Sequence, residues 1–112
     1  MFIKEILEAT KGQLLSGDIN QDIHGFTQDT RQIQQGDMYI PLKGEKADGH
    51  DYIEQAFLMG ASSILTEKEV NYSDKNVILV KDTFKAMSDM ASYLRQHRPV
   101  KVVGITGSVG KT

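Results

Sequence analysis

The segment "NVILVK", residues 76–81, places four consecutive apolar residues, Val77 to Val80, β-branched at both ends. A strand with one wet face would alternate apolar and polar residues; an unbroken run asks for cover on both faces. It therefore predicts a strand near 77–81 inside a layered sheet. Its neighbours supply the layers. "SSILTE" reads as a short strand near 62–66, and "DMYIPLKG" as another near 38–42. Pro41 lacks an N–H, which predicts an edge or bulged position for that strand. Between them, "DYIEQAFLMG" predicts a helix over 51–59, with Asp51 as its cap, Glu54 three residues on and Gly60 as its stop. Ile53, Ala56, Phe57 and Gly60 share a face. After the apolar run, Asp82 offers an N-cap for a helix over 83–96, and Pro99 closes it. Phe84, Met87, Met90, Ala91 and Leu94 form the expected buried stripe, set against Ile64, Val77 and Leu79. Strands and helices thus alternate from about residue 38. The fold class is α/β: a small domain whose mixed, partly parallel sheet is flanked by helices.

The N-terminal residues 2–10 show near-helical apolar spacing, with Gly12 as the expected stop. "QLLSGD" is a short apolar segment ended by a turn at Gly17-Asp18. At 112 residues the chain has single-domain size, and "RQHRPV", residues 95–100, is its one linker candidate. The expected division is 1–98 for the domain and 99–112 for the start of another. A net charge of −2 gives no field that would recruit nucleic acid or an anionic membrane. The chain has no cysteine, which removes disulfides and thiolate metal sites. "MFIKEILEAT" has no continuous apolar core of a signal peptide, and no apolar run approaches the roughly 20 residues of a membrane span. A cytoplasmic location is expected.

Two segments carry chemistry. "KVVGIT" reads as a last strand running into "TGSVGKT", residues 106–112. Gly107 and Gly110 let the backbone approach an anion closely, and N–H groups along Thr106, Gly107, Ser108, Val109 and Gly110 would face phosphate oxygens. Lys111 would bridge the β- and γ-phosphates, and the Thr112 hydroxyl would bind Mg²⁺. The general phosphate-loop pattern needs glycine at 105; Ile105 stands there and Gly104 is one residue early. The second segment spans residues 28–53. Thr30 and nearby backbone can bond a uracil or ribose edge, and Arg31 and Lys43 can face a diphosphate. Gly44 and Gly49 permit close approach, and His50 sits at a helix start, where anions are favoured. Ordinary turns explain "QQGD" and "LKGEKADG" equally well on composition. His24 and His97 read as surface or turn residues, and Met87 and Met90 as core. No Ser-His-Asp or Cys-His spacing suggests an independent active site.

"DTRQIQQGDMYIPLKGEKADGHDYIEQAFLMGASSIL" resembles the first domain shared by two Mur ligases of peptidoglycan synthesis, and "VVGITGSVGKT" is similar to the start of their central ATP-binding domain. The wording "ITGSVGKT" resembles the branch that adds D-alanyl-D-alanine more than the branch that adds the third peptide residue. Where family segments often read Asp-Ser-Arg, this one has Asp29-Thr30-Arg31, which keeps the hydroxyl. The resemblance implies a substrate-recognition domain for UDP-N-acetylmuramoyl-tripeptide, with Thr30, Arg31, Lys43, Gly44, Asp48, Gly49 and His50 at the UDP end. It implies ATP and Mg²⁺ on Thr106, Gly107, Ser108, Val109, Gly110, Lys111 and Thr112. ATP would phosphorylate the peptide carboxylate, and the amine of D-alanyl-D-alanine would attack it. These 112 residues alone are expected to be inactive, because phosphoryl transfer needs more than one loop. Two alternatives stay open: another phosphate-loop NTPase, and a free-standing nucleotide-sugar binding module.

Overall fold

A computed structural model describes residues 1–44 and 47–97. The expected strand and phosphate loop at 100–112 lie outside them. Five strands, β1 (Gln13–Ser16), β2 (Phe26–Thr27), β3 (Met38–Tyr39), β4 (Ser63–Thr66) and β5 (Asn76–Leu79), form one sheet in the order β1-β5-β4-β3-β2. Strands β2 to β5 are mutually parallel, and β1 closes the far edge antiparallel to β5. The helices are α1 (Ile3–Thr10), α2 (Ile53–Leu58) and α3 (Thr83–His97), with short 3-10 turns at Thr30–Gln32 and Gly49–Tyr52. This is the small, mostly parallel α/β domain that the alternation predicts. Among the described residues no helix is long and apolar enough to cross a membrane.

The apolar run behaves as its composition demands. Ile78 and Val80 join Leu65, Met38 and Ile40 on one face, packed with Ile3 and Ile6 of α1 and Ala86 and Met90 of α3. Val77 joins Ile64 and Tyr39 on the other face, packed with Ile53 and Ala56 of α2. The pleat sorts successive residues to opposite layers, so a strand covered twice needs apolar residues at every position. The β4–β5 connection contains no helix. Val70 and Tyr72 from that segment pack on the second face instead, with Tyr72 edge-on to Phe57 at 4.9 Å.

Four local expectations are corrected. Met38 and Tyr39 pair with β2 on one side and β4 on the other, so β3 is interior rather than an edge. The strand ends before Pro41, so the missing N–H never interrupts a ladder. In α3, Met90 is buried as expected and Met87 packs half-buried on the same cluster, but Thr83 and Ala86 take the other inward places and Phe84 is 63% exposed. The cause lies in the first turn: the Glu67 carboxylate takes the Thr83 N–H at 2.9 Å and its hydroxyl at 3.2 Å, which turns Thr83 inward and Phe84 outward. The helix therefore meets Leu65, Ile78 and Val80, not Ile64 and Val77, which face the opposite layer. Asp51 is not the cap of the second helix. Asp48 accepts the N–H of His50 and opens a 3-10 turn, from which α2 continues at Ile53. Gly12 does not take the left-handed cap of α1; Lys11 does, with φ 60°. Gly12 is needed for space, since a Cβ there would stand 2.7 Å from Cγ2 of Ile78. Two other end signals hold: Gly60 ends α2 with φ 114°, and Asp82 caps the start of α3 by accepting the Lys85 N–H at 3.1 Å, while Pro99 lies outside the described residues.

Parallel strands share a direction, so the segments that leave β2, β3, β4 and β5 emerge along one edge of the sheet. In α/β folds that carboxyl edge is where ligands bind, because loops there are free of the layer packing below.

Candidate functional site

The sequence-predicted residues of the 28–53 segment follow the carboxyl ends of β2 and β3. Adjacent strands β2 and β3 lead into Thr30-Arg31 and Lys43-Gly44 respectively. The Thr30 turn is opened by Asp29, whose Oδ1 accepts the Arg31 N–H at 2.9 Å. The same carboxylate holds the Arg31 guanidinium through Nε at 3.1 Å and Nη2 at 3.0 Å. This forked pair keeps Asp29 below the usual carboxylate range through the Arg31 side chain, and it raises Arg31 in turn. The Arg31 side chain nonetheless remains 86% exposed, so one face of its charge stays open to solvent.

The segment after β3 is a tight reversal. Lys43 and Asp48 form an antiparallel bridge, the Gly44 N–H donates to the Ala47 carbonyl at 2.7 Å, and the Gly49 N–H donates to the Leu42 carbonyl at 2.8 Å. Gly49 is where this folding requires a missing side chain: a Cβ would lie 2.7 Å from the Leu42 nitrogen and 2.9 Å from the Pro41 Cα. Beneath it, the Tyr39 hydroxyl donates to the Gly49 carbonyl at 2.9 Å. Burial, with the nearby carboxylates of Asp48 and Asp29, pushes that phenol up to about 12, so it stays a donor.

His50 is buried rather than presented. Its Nδ1 meets Asp48 Oδ1 at 2.7 Å, and its Nε2 accepts the backbone N–H of Glu67 at 2.9 Å. An N–H donor at Nε2 leaves the ring proton only Nδ1, which fixes a neutral Nδ1–H tautomer. The His50 backbone N–H and then its ring hold Asp48 below the usual range. Sequence reasoning placed His50 facing an anion; both its nitrogens are instead bonded within the protein.

Glu67, at the end of β4, was missed. Its carboxylate receives Lys43 Nζ at 3.0 Å besides the two bonds from Thr83. Burial pushes Glu67 up, but the Thr83 N–H, Lys43 and the Thr83 hydroxyl together outweigh it and hold the group below its ordinary value. No local signal could have found it, since its partners lie 16 to 17 residues away or further. Lys43, Glu67, Lys81, Asp82 and Phe84 line a cleft of about 380 Å³ at this edge. A larger cavity of about 720 Å³ opens beside it toward Thr10, Lys11 and Lys85, away from Thr30 and Gly49. Among the described residues no group of three or more His, Cys, Asp or Glu is arranged to hold a metal.

Comparison with known proteins bears on what this edge is for. The profile of the Mur ligase family, catalytic domain, matches residues 22–102. The UDP-N-acetylmuramoyl-tripeptide–D-alanyl-D-alanine ligase of Bacillus subtilis is 42% identical over 98% of this chain, and that of Escherichia coli is 36% identical over 98%. The UDP-N-acetylmuramoyl-L-alanyl-D-glutamate–2,6-diaminopimelate ligase of Clostridium perfringens is 33% identical over the whole chain. The chain spans about a quarter of each relative's length: 25%, 24% and 24%. Among solved structures, MurF from Acinetobacter baumannii superposes with a TM-score of 0.75 at 26% identity, over 85% of this chain and 21% of that one. MurF from Thermotoga maritima in complex with ADP matches with a TM-score of 0.51 at 30% identity, over 63% of this chain and 16% of its own. A profile match across most of the sequence, joined to a shared fold in three dimensions, identifies the chain as a member of the Mur ligase family.

Proposed function

We propose that residues 1–98 hold the UDP end of UDP-N-acetylmuramoyl-tripeptide for an ATP-dependent ligase that adds D-alanyl-D-alanine in peptidoglycan synthesis. Residues 99–112 then begin the ATP-binding domain, and the protein works in the cytoplasm. The observation that carries this reading is the emergence of Thr30-Arg31 and Lys43-Gly44 from neighbouring parallel strands at one edge. Two cations on adjacent segments suit the two charges of a diphosphate. The Thr30 hydroxyl and turn backbone suit a ribose or uracil edge, and Gly44 leaves room for close approach. Asp48, Gly49 and His50 frame this cradle from within.

The ATP loop, Thr106 to Thr112, lies outside the described residues. Its donor set fits a magnesium triphosphate: backbone N–H groups around Gly107 and Gly110, the Lys111 ammonium and the Thr112 hydroxyl. When bound, ATP supplies the phosphoryl group that activates a carboxylate for attack by an amine. This chain's part is to anchor the far end of the substrate, which lowers the entropy cost of aligning the reacting end. The test is titration of the chain with UDP and with Mg-ATP, followed by backbone amide NMR. UDP is expected to shift Thr30, Arg31, Lys43 and Gly49, with little effect of ATP. Shifts from ATP alone, with none near residues 30–50 from UDP, would reverse the assignment. The 33% identity to a diaminopimelate-adding ligase supports a second reading, addition of the third peptide residue. The two readings are told apart by offering the whole enzyme either D-alanyl-D-alanine or, in its place, diaminopimelate or lysine.

A further inference from the structure

Four residues at the carboxyl edge close a ring. Lys43 and Asp48 are joined by their backbone bridge. Asp48 Oδ1 meets His50 Nδ1 at 2.7 Å, His50 Nε2 accepts the Glu67 N–H at 2.9 Å, and Glu67 Oε1 returns to Lys43 Nζ at 3.0 Å. The ring spans the reversal after β3 and the end of β4, tying together two segments that leave neighbouring strands. Its one fully interior member is His50, whose side chain is 3% exposed. We propose that His50 is a positioning residue: its neutral Nδ1–H imidazole ties the Lys43–Asp48 reversal to the end of β4 and so sets where Lys43 stands. This rests on the UDP reading for its consequence, though not for its geometry.

The chemistry leaves one working state for the ring. In free histidine the Nε2–H tautomer is the commoner one; here that proton would point at the Glu67 N–H, donor against donor. The imidazolium has the same fault at Nε2. Only the Nδ1–H form gives each partner what it needs, a donor to the Asp48 carboxylate and an acceptor for the Glu67 amide. Removing the imidazole would leave a half-buried backbone N–H without its acceptor and the Asp48 carboxylate without its histidine donor, a loss on the order of tenfold in any equilibrium that depends on the ring. Lys43 would then keep its charge and lose its placement.

Two measurements test this on the 112-residue protein. The first is the imidazole nitrogen NMR spectrum of His50 without ligand. It should show a proton on Nδ1 and a bare Nε2; a protonated Nε2 would overturn the proposal whatever UDP does. The second compares UDP affinity in wild type, His50→Ala and His50→Gln. Glutamine can offer its carbonyl oxygen to the Glu67 N–H. His50→Ala should bind UDP roughly tenfold more weakly, and His50→Gln should recover most of that loss. Wild-type affinity in a folded His50→Ala protein sinks the positioning role. If alanine unfolds the protein, glutamine must still hold UDP well above any affinity shown by Lys43→Ala, and equality of the two overturns the proposal. Failure of wild type to bind UDP at all strikes the functional reading, while the nitrogen spectrum still decides the ring.

Discussion

At Gly49 the requirement is steric rather than conformational. Its φ is not in the left-handed region, yet a Cβ would meet the Leu42 nitrogen at 2.7 Å, the Pro41 Cα at 2.9 Å and the Leu42 carbonyl at 3.0 Å. All three are backbone atoms, so no side chain can swing aside. Gly49→Ala must push the 41–42 segment away and strain both the 2.8 Å bond to the Leu42 carbonyl and the 2.9 Å bond from Tyr39. A loss of about 1–3 kcal/mol is expected, the usual cost of forcing atoms into a packed place. Gly25→Ala, where the nearest atom stands 3.4 Å away, should change stability by less than about 1 kcal/mol. Urea unfolding of both variants checks the contrast, and equal midpoints would mean that the close approach is not what holds the reversal. In the sequence, Gly49 read as a place for close approach to a bound nucleotide; what the structure sets against it is the protein's own backbone. That partner was not legible, because it is Leu42 on the far side of a reversal, and linear spacing does not report folding back. Arg31 and Asp29 show the same limit at shorter range. Both residues stood in the "DTR" triplet, but only the turn geometry makes one the forked partner of the other.

At the scale of elements, α3 shows how a remote residue sets a helix's orientation. The Asp82 cap was readable from the sequence, since a capping side chain acts on residues next to it. Which face turns inward was not, because two interleaved stripes fit the same spacing. Both include Met87; one adds Phe84 and Ala91, and the other, the buried one, adds Thr83, Ala86 and Met90. Glu67 decides between them from the end of β4. Its bonds to the first turn also place a negative charge at the helix's positive end. Glu67→Ala should therefore lower stability by about 1–2 kcal/mol near neutral pH. The pH dependence follows from the depressed folded-state value. A carboxyl held below its unfolded value of 4.5 contributes stability that is fully present above 4.5 and disappears as pH falls through the lower folded value. Wild type should lose stability over that acid window faster than Glu67→Gln, which cannot titrate there. Asp29 and Asp48, also depressed, act in the same direction in both proteins and drop out of the difference. Urea midpoints taken from about pH 7 down to pH 3 read the effect. Parallel curves for the two proteins would remove Glu67 as the acid-sensitive cap.

For the molecule as a whole, a thin sheet with apolar residues on both sides has no spare layer. Ile78 and Ile64 are both fully buried, on adjacent strands, yet they look into opposite clusters. The alternation of strand and helix made this layering legible, because only cover on two sides accommodates "VILV". The order of strands was not legible: pairing between segments far apart in sequence decides it, which is why β3 sits inside the sheet and not at its edge. Since β3, β4 and β5 each contribute to both clusters, the layers cannot melt separately without exposing the other side of the same backbone. Ile78→Ala and Ile64→Ala should each cost about 2–5 kcal/mol, the range for emptying a buried branched side chain. Each should shift one shared transition, seen alike by far-ultraviolet circular dichroism and by amide exchange at residues of the opposite layer. Phe84→Ala, at a residue as large but 63% exposed, should move it by no more than about 0.5 kcal/mol. If Ile64→Ala instead released α2 while exchange along α1 and α3 kept its wild-type protection, the two faces would be separate units of stability and the shared sheet would not be what joins them.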